Sequence, residues 1–335
     1  MNILIIGGTG IISTPITRML IERGEQVTLF NRGNHPIPGA RQVIGDRGDY
    51  LHFEQQMAEA GSFDCVIDMV AYHPDDAHRV TRAFKGRIGQ YIFCSTVDVF
   101  TKPAPYYPIR EGFPRSADPA FEYAYNKVLC EQVLEEASAA GDFPLTILRP
   151  AATYNDACAP ISLLGSGTAL LKRIRQGSPV IVLGDGNSFW ASSHSYDVAV
   201  AFVNAVGNPR SVGKDYNVTG DEWMTWRNYF DTARKVLSAP PIQFVPIPAG
   251  LLARITHGAA NWSDWNFKFN NIFDNTAAKT ELGYRYTISW EEGVRRMVAY
   301  HDARGSINTA SADPLYDRVI EVFLKHVESM EQELA

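Results

Sequence analysis

The apolar run Asn2–Ile6 passes directly into Gly7-Gly8-Thr9-Gly10 and then into helical apolar spacing, a junction that few folds accommodate. Without Cβ atoms at Gly7, Gly8 and Gly10, backbone N–H groups and the positive end of the next helix can approach an anion closely. A strand before and a helix after lift the glycines above a chance cluster. Ile12, Ile16, Met19 and Leu20 share one helical face, and Gly24 is placed to end that helix. The junction suits a dinucleotide pyrophosphate, held by Gly7, Gly10, Ile11 and Ile12; the bland alternative is a tight turn without a ligand. Ser13 stands where a third glycine would let helix and strand approach, and its small side chain predicts only slight displacement.

Further strand-like runs lie at Gln26–Asn31, 42–44, 65–68, 90–95 and 145–148, alternating with amphipathic stretches. That rhythm predicts an α/β fold built on a Rossmann-type doubly wound parallel sheet. At 335 residues the chain exceeds one ordinary domain. After Pro150 the rhythm breaks and all six tryptophans appear, so a smaller C-terminal substrate-binding lobe is expected. Residues 1–158 are assigned to the dinucleotide-binding domain, re-entered at about 188–220 by a helix over 196–206 and a strand over 215–218. The lobe takes 159–187 and 221–310, and a terminal helix follows over 311–335, with Val319, Val322, Phe323 and Val327 on one face.

The apolar fraction of 45% and charged fraction of 20% are those of a globular protein. A net charge of −6 gives no electrostatic reason to expect nucleic acid or an anionic membrane. Cys65, Cys94, Cys130 and Cys158 form no CxxC pattern and sit in apolar stretches, which points to a reducing compartment. With no basic leader before the first strand, a cytoplasmic location is expected. Assembly as a homodimer is left open.

An acidic residue ending the second strand would bind the ribose 2′-OH of NAD, but that strand ends Phe30-Asn31-Arg32, and Asn31 and Arg32 are the candidates there to contact the cofactor. An arginine there can pair with a 2′-phosphate, so NADP(H) is favoured and NAD(H) stays possible; Arg32 could also be solvated or stack on adenine. Asp46 could accept from the adenine amino group or simply cap a turn with Gly45.

Tyr123 and Lys127 lie four residues apart at the start of an amphipathic helix, hence on one face and one turn apart. An ammonium beside a phenol favours phenolate, and the pair could exchange a hydroxyl proton while a nicotinamide exchanges hydride. Ser95 and Thr96 end an apolar strand some thirty residues earlier, at the sheet edge where ligands bind in such folds. Blandly, Thr96 is a cap and Tyr123 a packed aromatic. His73 could face the site or act as a structural hydrogen bonder, and His194 is expected to fix a helix start through its ring N–H. Neither fits a metal motif, so no metal is expected.

These pieces, with Cys94-Ser95-Thr96-Val97-Asp98-Val99-Phe100, Tyr123-Ala124-Tyr125-Asn126-Lys127, Leu148-Arg149-Pro150-Ala151-Ala152-Thr153-Tyr154 and His194-Ser195-Tyr196-Asp197, resemble the extended short-chain dehydrogenase/reductases of the epimerase/dehydratase type that act on nucleotide sugars. The resemblance covers nearly the whole chain and implies an NAD(P)-dependent oxidoreductase or epimerase acting on a sugar or nucleotide-sugar hydroxyl. By it, Thr96 would bond the reacting hydroxyl, Tyr123 would be the acid/base and Lys127 would hold the nicotinamide ribose. The backbone after Pro150, with Ala152 and Thr153, would approach the nicotinamide amide, Ser95 would contact the cofactor, and Ala71 would lie along it. Dehydratases of the family carry an Asp-Glu pair after the threonine; Val97 and Asp98 stand there, which puts such an elimination in doubt although Asp98 alone could act as a base. The segment from Asp68 to Pro74 resembles a branch that includes chloroplast stem-loop RNA-binding proteins, so a nucleic-acid-binding relative and a non-catalytic dinucleotide sensor are the competing classes. Trp190, Trp262 and Trp265, the last two among amide and charged groups, are candidates to stack on a substrate, or else are core packing.

Overall fold

The computed structural model describes residues 1–335, and seven parallel strands organise its first unit. In chain order β1 (Asn2–Ile6), β2 (Gln26–Asn31), β3 (Arg41–Ile44), β4 (Phe63–Asp68), β5 (Ile88–Cys94) and β6 (Leu145–Pro150) are joined late by the strand Lys214–Val218. Across the sheet they run Lys214–Val218, β6, β5, β4, β1, β2, β3, so β1 lies between β2 and β4 and chain direction across the sheet reverses there. In doubly wound sheets that reversal opens a crevice at the strands' C-terminal ends.

The strands are apolar on both faces because helices cover both. Ile3 and Ile5 of β1 point into one layer with Ile16 and Leu20 of α1 (Ser13–Glu22) and Phe202 of the helix Ser195–Ala205. Leu4 and Ile6, one residue out of phase, point into the other layer. There they join Phe53 of α2 (Tyr50–Glu59), Val80 of α3 (Pro74–Phe84) and Leu134 of α4 (Glu122–Ala139). Fully burying Ile16 and Leu20 contributes about 1.5–3 kcal/mol each, so packing holds α1 in place although no side chain caps its first turn.

The first unit comprises Met1–Thr153, Ser192–Gly220 and Phe273–Thr287. The last segment corrects the expectation that 221–310 lies wholly in the second lobe. Ala278, Leu282 and Tyr284 are buried in the same layer as α1, and Asn275 Nδ2 and Tyr284 Oη both donate to the Thr219 carbonyl at 2.8 Å. Asp197 accepts from Thr287 through both carboxylate oxygens. These contacts join residues far apart in sequence, and local periodicity does not announce them.

The second unit comprises Tyr154–Ala191, Asp221–Ile272 and Ile288–Ala335. Its core is aromatic: Trp190 stacks on Trp226 at 5.0 Å and meets the edge of Phe267, and Tyr229 stacks on Trp290 at 4.1 Å. The terminal helix Pro314–Leu334 buries Tyr316, Val319 and Ile320, whereas Val322, Phe323 and Val327 are only half-buried. No helix is long and apolar enough to cross a membrane.

Candidate functional site

The C-terminal ends of β1, β4 and β5 open on a cavity of about 840 Å3 in the first unit. Gly7 and Gly8 have φ of +106° and +86°, and a Cβ at Gly8 would sit 2.6 Å from Leu29 Cδ2, so this turn requires glycine. Ser13 does more than fill the third glycine's place: its hydroxyl accepts from Gly10 N–H at 2.8 Å. The N–H groups of Ile11 and Ile12 have no acceptor in the chain, and α1 has no side-chain cap. An open helix N-terminus beside glycines is a site for a pyrophosphate, so the chain's own groups fit a dinucleotide.

At the far end of β2, Asn31 is consumed internally. Its Nδ2 donates to the Gly7 carbonyl at 3.0 Å and its Oδ1 accepts from Gly33 N–H at 2.8 Å. The Arg32 guanidinium beside it is exposed, makes no ion pair or hydrogen bond, and lines the cavity with Asn34 and His35. Asp46 lines the cavity too while its Oδ1 accepts from Gly48 N–H at 2.8 Å, so it caps a turn and keeps its second oxygen. Arg47, passed over in the sequence, is fixed by Asp68 at 3.0 Å and Asp76 at 3.3 Å and packs over Phe53.

At the other end Ser95, Thr96, Tyr123, Lys127, Pro150 and Thr153 line the wall, with His73. Lys127 Nζ is buried, donates to the Cys94 carbonyl at 2.8 Å and lies over the rings of Tyr72 and Phe93 at 4.8 and 4.7 Å. Burial pushes the lysine down from its ordinary range. The expected lowering of the Tyr123 phenol by Lys127 is not what governs it: burial pushes the hydroxyl up, the Asp98 carboxylate adds to the rise, and a hydrogen bond with Thr96 opposes it. The lysine is anchored on the strand carbonyl, and in a dry wall desolvation of the phenolate dominates.

Other expectations are corrected. Ala71 is fully buried in the layer under α3, and its neighbours Val70 and Tyr72 line the cavity instead. Ala151 rather than Ala152 faces it. Asp98 does not line it, although it bonds Thr96. Trp190 is 4% exposed and belongs to the aromatic core. Trp262 is exposed and Trp265 half-buried, both beside or within the π-helical turn Ser263–Phe267. His194 Nδ1 accepts from Tyr196 N–H at 3.1 Å instead of donating, because a helix start offers donors. His73 starts α3, and its Nδ1 lies 3.2 Å from Asn126 Nδ2. Burial raises the Cys94 thiol to about 11 and Cys130 to about 12, as inert core thiols.

A family model described as the NAD dependent epimerase/dehydratase family matches residues 3–219. The chloroplast stem-loop binding protein of 41 kDa b of Arabidopsis thaliana is 27% identical over 260 residues, covering 73% of this chain and 65% of that protein. The chain thus spans just under two thirds of that relative. The 2′-dehydrokanamycin reductase of Streptomyces kanamyceticus is 25% identical over 277 residues, covering 82% of this chain and 77% of the reductase. The structure of a UDP-glucose 4-epimerase from Thermotoga maritima shares the fold with a TM-score of 0.72 at 20% identity, covering 91% of this chain and 99% of that one. Matched by the model over more than half its length, the chain belongs to the NAD-dependent epimerase/dehydratase family.

Proposed function

We propose that the protein is an NADP(H)-dependent oxidoreductase or epimerase acting on a hydroxyl-bearing carbon of a sugar or nucleotide sugar. The observation that carries this is one cavity lined both by the glycine loop with the open α1 N-terminus and by Thr96, Tyr123 and Lys127. In this assignment Gly7, Gly10, Ile11 and Ile12 hold the pyrophosphate, Arg32 the 2′-phosphate and Asp46 the adenine amino group. Lys127 holds the nicotinamide ribose, with Ser95, Pro150 and Thr153 nearby. When bound, the cofactor supplies or removes the hydride. Tyr123 takes the substrate's hydroxyl proton on oxidation and returns it on reduction, while Thr96 orients that oxygen. Anchored on the Cys94 carbonyl, Lys127 keeps a cation in a wall whose burial otherwise disfavours phenolate. Val97 in place of an acid after Thr96 favours oxidation, reduction or epimerisation over elimination of water. We assign the second unit to substrate recognition and the protein to the cytoplasm, which the four unpaired thiols support.

Tyr123→Phe tests the central role. With UDP-glucose, UDP-galactose and their 4-keto derivative as probes, turnover should vanish while NADPH binding, read by its fluorescence, stays as in the parent. An equally active variant overturns the assignment. A second reading, binding of stem-loop RNA, is suggested by the name of the Arabidopsis relative. The net charge of −6 opposes it, and failure of a stem-loop RNA to bind even at low salt would remove it.

A further inference from the structure

The terminal helix Pro314–Leu334 begins anchored in the second unit and ends bare. Tyr316 and Ile320 are buried: the Tyr316 hydroxyl accepts from Ile181 N–H at 2.8 Å, and the Arg173 guanidinium lies over its ring at 4.4 Å. From Lys325 to Leu334 nothing is buried, and only Val327 is even half-buried. The apolar pattern nevertheless runs on. Tyr316, Ile320, Phe323, Val327, Met330 and Leu334 follow one another at alternating spacings of four and three residues. That alternation lays a single stripe along a helix, the seam by which one helix pairs with another. Exposure climbs along it, from buried at Ile320 through half-buried at Phe323 and Val327 to 54% at Met330 and 88% at Leu334. A helical end shorter than about 12–15 residues is marginal in water unless its apolar face is packed. Its charges do not help, because Glu328, Glu331 and Glu333 sit at the negative end of the helix dipole with no basic residue in the last turn.

We propose that this stripe is covered by the same stripe of a second copy of the chain running antiparallel, closing a two-fold homodimer. With Val327 opposite the partner's Met330, Phe323 falls opposite the partner's Leu334, so each half-buried side chain meets an exposed one. Two-fold symmetry makes each contact twice. The flanking residues are complementary in the same register. Leu324 and Glu331 border the stripe on one side, and His326 and Glu333 border it on the other. Antiparallel pairing sets His326 opposite the partner's Glu333, and lays the Glu331 methylenes over the partner's Leu324. A parallel pair would gather the three terminal glutamates of both copies at one end, and like charges there repel. None of these residues lines the cavity at the glycine loop, so the dimer and the proposed chemistry stand or fall separately.

Analytical ultracentrifugation of the full chain, from nanomolar to high micromolar concentration, tests the pairing. The parent should sediment as a dimer of the 37.2 kDa chain. Met330→Glu/Leu334→Glu changes two exposed positions, so it should keep the parent's near-ultraviolet circular dichroism while raising the dimer Kd at least about thirtyfold, as loss of central interface anchors does. His326→Glu should also weaken the dimer, and adding Glu333→Lys should restore it. A parent that stays monomeric throughout overturns the proposal. So does a dimer that Met330→Glu/Leu334→Glu leaves equally tight, since another face then joins the copies. Restoration of His326→Glu by Glu331→Lys instead of Glu333→Lys overturns the antiparallel register, because His326 faces the partner's Glu331 only in a parallel pair. If the double variant does not fold, the His326 and Glu333 variants decide, and a dimer indifferent to both overturns the proposal.

Discussion

Replacing Arg32 by alanine isolates the one cation at the cavity mouth that is committed to nothing else. The guanidinium is exposed and makes no ion pair, so its removal leaves no buried partner stranded and the fold should not respond. A hydrogen bond between charged groups contributes about 1.5–3 kcal/mol. At about 1.4 kcal/mol per decade, NADPH should bind about tenfold to about 150-fold more weakly to Arg32→Ala. NADH, which lacks the phosphate, should bind as it does to the parent. The exposed contact is open to screening over a Debye length of about 8 Å, so added salt should narrow the gap between parent and variant. Fluorescence titration of both reduced cofactors at two ionic strengths reads all three effects. Equal weakening of NADPH and NADH would mean that Arg32 shapes the adenosine pocket without reading the phosphate. No weakening of either would refute the assignment of NADP(H).

Three further outcomes follow from buried geometry. Glu131 and Arg149 are both fully buried and doubly bonded at 2.8 and 2.9 Å, with Arg115 and Asp215 as outer partners, so Glu131→Gln should cost about 3–5 kcal/mol in urea unfolding by removing the buried carboxylate and leaving the Arg149 guanidinium with Asp215 as its one ion-pair partner. Arg149 and its hydrogen bonds hold the Glu131 carboxyl below its usual range despite burial. A depressed folded value gives stability that is present above the unfolded value near 4.5 and lost as pH falls through the folded one, so the parent should lose stability below about pH 4.5 more steeply than Glu131→Gln. Gly8→Ala, at φ +86° and against Leu29, should cost about 1–3 kcal/mol and weaken both NADPH and NADH; an alanine variant that binds both normally would refute the close-packed loop.

The first strand, glycine loop and helix were legible because their signals are local: an apolar run, missing Cβ atoms, and a 3.6-residue period. The same holds for Tyr123 and Lys127, whose spacing puts them on one helical face. What the sequence hid is long-range. Asn31 stands at the strand end as a candidate cofactor contact, but its amide fastens β2 to the Gly7 carbonyl, a contact between residues twenty-four apart. Lys102 lies among prolines with no periodicity to single it out, and only the fold reveals its burial against Asp98. Trp190 stays open in the sequence between a stacking platform and a core residue because tryptophan suits both, and only the fold seats it on Trp226.

Because the first unit is assembled from three separated stretches ending at Thr287, it cannot be cut out of the gene as a single continuous piece. A fragment ending at residue 219, where the family match stops, would carry every strand of the large sheet. It would still bare the ground on which Ala278, Leu282 and Tyr284 pack and leave the Thr219 carbonyl without its two donors. On the ribosome, the cofactor-binding half must therefore wait for most of the other half to be synthesised before its last layer can close.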